Sequence, residues 1–89
     1  MYKILKAEKL SENIFLMDVH APRVASHCEP GQFVILRAMN DSERIPLTIS
    51  DYDREKGTVT LIYQVVGAST MELDRLIQGE YINDVVGPL

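Results

Sequence analysis

Gly67-Ala68-Ser69-Thr70 and Arg44-Ile45-Pro46-Leu47-Thr48 are the stretches of this chain whose residue types and order could do chemistry. Val66 to Leu73 reads as a strand that ends at a glycine and turns straight into a helix. The first N–H groups of a helix have no intrahelical acceptor, and the aligned peptide dipoles make that end partly positive, so an anion is favoured there. Gly67 has no Cβ to keep a ligand off the backbone, and Ser69 and Thr70 add hydroxyls. A simpler reading fits the same letters: Ser69-Thr70-Met71-Glu72 matches the S-x-x-E capping box, in which Ser69 and Glu72 satisfy the free donors themselves. The upstream strand tips the balance toward a ligand. It sets a guanidinium and a hydroxyl on either side of a flat apolar stretch, which together suit a phosphate site beside an apolar slot.

Other chemistries find less support. His20, His27 and Cys28 suggest a metal, but adjacent His27 and Cys28 point apart in an extended segment, and no C-x-x-C or H-x-x-x-H spacing exists. Ser50-Asp51 with two histidines lacks a positioned base or oxyanion hole, so no catalytic residue is assigned. A formal net charge of -4 leaves no basic stripe for nucleic acid. The single Cys28 cannot form an internal disulfide, which suits a reducing compartment. No apolar run reaches the length of a membrane span, and Met1-Tyr2-Lys3-Ile4-Leu5-Lys6 lacks the apolar core of a signal peptide, so a cytoplasmic location is expected.

The elements that must position these residues follow from the pattern. Eighty-nine residues with 46% hydrophobic content suffice for one core, hence a single domain over 1–89. Alternating, β-branched segments predict strands at Tyr2–Lys9, Ile14–His20, Phe33–Ala38, Ile45–Asp51, Thr58–Val65 and Tyr81–Val86. Such short strands avoid exposed edges by closing on themselves, so the expected fold is all-β, a six-stranded antiparallel Greek-key barrel. Glu29-Pro30-Gly31-Gln32 and Asp51–Gly57 read as turns, with Gly57 free to take positive φ. One short helix is expected from Thr70 to Gln78, where Leu73, Leu76 and Ile77 form a stripe that plugs a barrel end. Gly87-Pro88 suggests a domain boundary, as in a piece of a longer protein.

Pro30-Gly31-Gln32-Phe33, Arg44 to Ile49, Tyr63 to Thr70 and Gly87-Pro88-Leu89, in this order, resemble the FAD-binding barrel of the ferredoxin–NADP(+) reductase superfamily. Within it the chain looks most like the small (alpha) subunit of NADPH-dependent ferredoxin oxidoreductase, or sulfide dehydrogenase, and next like the electron-transfer subunit of dihydroorotate dehydrogenase. The alternative from another class is a non-catalytic barrel that mediates protein assembly.

The resemblance implies an FAD site. Pro46, Leu47 and Thr48 would lie along the isoalloxazine ring, with Thr48 near flavin N5 and Leu47 where relatives place a stacking aromatic. Tyr63 and Gln64 would flank the ribityl or adenosine part, and Gly67, Ser69 and Thr70 would hold the pyrophosphate, with Arg44 as its charged partner. The family pattern sets arginine directly before the proline, whereas Ile45 stands there in this chain. A one-residue shift turns a strand side chain to the opposite face unless a bulge at Pro46 restores it.

The resemblance also implies a subunit that moves electrons between NAD(P)H and ferredoxin or another iron–sulfur partner. An NAD(P)-binding domain and an iron–sulfur protein or larger flavoprotein subunit are the implied partners. The chain carries neither that domain nor the family's cysteine cluster, so the isolated barrel is not expected to oxidise NADPH.

Overall fold

A computed structural model describes residues 1–89. In chain order the elements are β1 (Tyr2–Lys9), β2 (Ile14–His20), α1 (Pro22–His27), β3 (Phe33–Arg37), β4 (Ile45–Asp53), β5 (Thr58–Gln64), α2 (Ala68–Asp74), β6 (Tyr81–Ile82) and β7 (Asp84–Val86). Every strand pair is antiparallel, and the order is β6-β1-β2-β5-β4-β3-β7. The jump from β2 to β3 over the intervening β5 and β4 is the Greek-key crossing.

The expected six-stranded barrel is present, with its last strand in two pieces. β6 pairs with β1 through Tyr2 and Ile82, whereas β7 pairs with β3 through Ile35 and Val86. A run that changes partners must break its ladder. It does so at Asn83, whose N–H donates to the Ala38 carbonyl at 3.1 Å. One stretch of chain thereby nearly closes the barrel.

A second helix was not expected. Ala21, Val24, Ala25 and Cys28 recur at helical spacing and all four are buried, so α1 lays an apolar stripe over one barrel end. Pro22 opens it, where the missing N–H costs nothing. Arg54, from the β4–β5 hairpin, donates to the carbonyls of Ala25 at 3.3 Å and Cys28 at 2.8 Å, placing its charge at the negative end of the helix. Gly57 takes φ +68, and its carbonyl accepts the Ala21 N–H at 2.9 Å. His27 and Cys28 thus end a helix rather than lying in an extended segment. Cys28 turns inward, where burial pushes its thiol up, and His27 stays exposed.

The inner face follows strict alternation along β3 and β5: Val34 and Leu36, then Val59, Leu61 and Tyr63, are buried. Leu73 and Leu76 of α2 and the following turn seal the other barrel end. Full burial of a leucine such as Leu73 contributes about 2 kcal/mol. The helix ends earlier than predicted, at Asp74, so Ile77 falls outside it and is exposed. No helix is long and apolar enough to cross a membrane.

Candidate functional site

Strands β4 and β5 part company halfway along. They pair from Asp53 and Thr58 to Ile49 and Leu61, with a bulge between Asp51 and Ile49. Beyond that point β4 pairs only with β3, through Thr48 to Ile45, and β5 pairs only with β2, through Ile62 to Gln64. A sheet that stops pairing opens a split. Arg44, Pro46, Leu47 and Thr48 stand on its β4 side, and Tyr63, Gln64, Gly67, Ser69 and Thr70 on or just after its β5 side. The nine predicted site residues therefore fall in two stretches, one on either side of the point where β4 and β5 stop pairing.

On the β4 side the register with β3 runs unbroken from Phe33 opposite Thr48 to Leu36 opposite Ile45, so Pro46 makes no bulge. Exposure alternates: Arg44, Pro46 and Thr48 are exposed, Ile45 and Leu47 half-buried. Arg44 shares the outer parity of Pro46 and Thr48, which are two and four residues on. Leu47 faces Val34 and packs against the core.

On the β5 side the chain leaves the sheet at Gln64 and enters α2 through Gly67. Thr70 Oγ1 accepts the amides of Val66 at 3.0 Å and Gly67 at 3.1 Å, and donates to the Gly67 carbonyl at 3.0 Å. That hydroxyl is buried and fully used in shaping the turn. The amides of Ala68, Ser69 and Thr70 make no hydrogen bond within the chain. Gly67 is extended, at φ -167 and ψ -175, and a Cβ built on it meets no atom within 4 Å. Neither backbone conformation nor packing within the chain requires glycine there. Three free amides beside an open glycine fit an incoming anion.

The expected Ser69–Glu72 capping box does not form. Ser69 Oγ donates to Glu43 Oε2 at 2.9 Å, and Glu72 Oε2 accepts from Ser42 Oγ at 2.7 Å, so both reach across the split to the β3–β4 turn. Tyr63 is buried, its ring stacked on Phe15 at 6.0 Å between centroids. Burial, with the Asp74 carboxylate beside it, pushes its phenol up. Gln64, next in the strand, is exposed.

No protein-family model matches the chain. Individual proteins do. An uncharacterized protein in the adh 3′ region of Clostridium beijerinckii is 53% identical over all of this chain and 30% of its own length. The dihydroorotate dehydrogenase B (NAD(+)) electron transfer subunit homolog of Thermotoga maritima is 42% identical over 98% of this chain and 31% of its own. The chain thus spans about three-tenths of the length of these curated relatives. A solved structure described as giving insights into flavin-based electron bifurcation, via the NADH-dependent reduced ferredoxin-NADP oxidoreductase, matches 99% of this chain and 32% of that one. It does so at 41% identity with a TM-score of 0.95.

This chain is a barrel domain of the ferredoxin–NADP(+) reductase superfamily. Its superfamily barrel carries the predicted residues in two groups. Gly67, Gln64 and the face of Arg44, Pro46 and Thr48 are exposed, Ser69 and Leu47 are half-buried, and Thr70 and Tyr63 are buried. Ser42 and Glu43 bridge to α2 and escaped the sequence reading, and Glu72 was read only as a cap. Their one signal is a Ser-Glu pair in the turn before β4, complementary to the Ser69 and Glu72 of the helix.

Proposed function

We propose that this barrel holds a flavin, specifically FAD, in an oxidoreductase subunit that passes electrons between NAD(P)H and ferredoxin or another iron–sulfur partner. The observation that carries this reading is the split between β4 and β5, bordered by three free amides and an open Gly67. The likeness over nearly the whole chain to a protein of flavin-based electron bifurcation supports it. The amides of Ala68, Ser69 and Thr70 take the diphosphate, and Arg44 supplies positive charge across the split. Pro46, Leu47 and Thr48 border the ring, and Gln64 the ribityl or adenosine part. Thr70 and Tyr63 act by holding the turn and the strand under it.

When bound, the flavin supplies the redox chemistry, taking up a hydride and releasing electrons singly. The protein's part is to orient the group and fix its electrostatic surroundings. An NAD(P)-binding domain, and an iron–sulfur protein or larger flavoprotein subunit, complete the working assembly. Residues 1–89 form its cofactor domain, inactive toward NADPH alone. The T. maritima relative favours a second assignment on the same cofactor site, the electron-transfer subunit of a dihydroorotate dehydrogenase. The large subunit that co-purifies with the full-length parent decides between the two.

Titration of the chain with FAD, followed by flavin fluorescence, tests the reading. Saturable quenching by FAD and weaker binding of riboflavin, which lacks the diphosphate, are expected. No change with FAD at high protein concentration refutes it.

A further inference from the structure

We propose that Ser42 and Glu72 form a positioning clasp that sets the width of the β4–β5 split and so the fit of the flavin; the inference rests on the flavin reading above. The two sides of the split belong to separate stretches of chain, and no backbone hydrogen bond joins the turn at residues 38–44 to α2. Side chains alone make the connection. Ser42 Oγ accepts the Met39 N–H at 3.1 Å and donates to Glu72 Oε2 at 2.7 Å, so one hydroxyl both closes the turn and ties it to the helix. Ser42 and Glu72 are half-buried, where competing water is partly excluded.

A second tie runs the other way, from Ser69 of the helix to Glu43 of the turn at 2.9 Å, on more exposed groups. Two crossed serine–carboxylate bonds resist both opening and sliding. Arg44 directly follows Glu43, so the turn fixed by the clasp also fixes where β4 begins. Neither Ser42 nor Glu72 touches the flavin in this reading. They act through the spacing between the free amides of α2 and the Pro46–Thr48 stretch.

A double-mutant cycle on FAD affinity is decisive. Ser42→Ala and Glu72→Ala should each weaken FAD binding about tenfold, and the double variant no more than either single one, because both remove the same bond. Glu72→Gln keeps an oxygen that accepts from Ser42, and should stay within about threefold of the parent chain. The visible circular dichroism of bound flavin should change in Glu72→Ala and return in Glu72→Gln, a response that mere loss of stability does not produce. Should Glu72→Ala fail to fold, Ser42→Ala against Glu72→Gln carries the same decision. Parent-like affinity in the alanine variants, or losses that multiply in the double variant, overturns the clasp and leaves the flavin reading standing. Absence of FAD binding by the parent chain overturns both.

Discussion

Gly67→Ala separates the ligand from the fold. Gly67 already has the extended backbone that alanine adopts freely, and a methyl group there meets no atom within 4 Å. Alanine is a poorer N-cap than glycine by roughly 0.5–1 kcal/mol. It also restricts the unfolded chain, which returns about 0.4–1 kcal/mol. The two nearly cancel, so the melting midpoint should stay within about 4 °C of the parent. Binding should respond quite differently. A Cβ at the open face holds a diphosphate off the amides of Ala68 to Thr70, and each charge-assisted hydrogen bond forfeited is worth about 1.5–3 kcal/mol. Loss of one corresponds to about a ten- to hundredfold weaker FAD complex. Calorimetric melting of the free chain and fluorescence titration with FAD measure the two effects on one sample. Unchanged FAD affinity in a folded Gly67→Ala chain would refute the assignment of the anion to this turn.

Gly57→Ala should do the reverse and damage the fold. Its φ of +68 is costly for alanine, and the new methyl lies 3.1 Å from Pro22 Cβ, so a loss of about 2 kcal/mol and a midpoint lower by roughly 8–16 °C are expected. Tyr63 predicts an alkaline instability. Burial and Asp74 hold its phenol protonated above the ordinary value of 10.0, so stability is full below that pH and falls as pH rises further, where only the unfolded chain ionises readily. Tyr63→Phe keeps the stacking on Phe15 and should flatten the fall in melting temperature between roughly pH 9 and pH 11.

Strand positions were legible because alternation along segments such as Thr58–Gln64 is imposed by a sheet with one buried face, and that pattern is local. α1 was harder to read, since Ala21, Val24, Ala25 and Cys28 are small residues on a helix of six, and Pro22 reads as a breaker unless its place at the first turn is considered. Ser69 and Glu72 show the limit most sharply. Their spacing matches a cap, but their partners lie 26 and 30 residues away in a turn that only the barrel brings close. Thr70 took the capping role from a position the pattern did not favour, because Gly67 has no side chain to offer. The split was likewise invisible: β4 and β5 read as ordinary neighbours joined by a hairpin, and nothing local says where their pairing stops. Its location depends on Thr48 to Ile45 being taken by β3 and Ile62 to Gln64 by β2.

The broken last strand has a consequence for how the molecule is made. Tyr2 finds its partner in Ile82 and Ile35 finds Val86, so β1 waits on a segment synthesised much later than itself. Contacts of such long sequence separation slow folding, because loops must close before they are rewarded. During translation β1 and β3 keep one unsatisfied edge each, until residues 81–86 leave the ribosome and join both in one event.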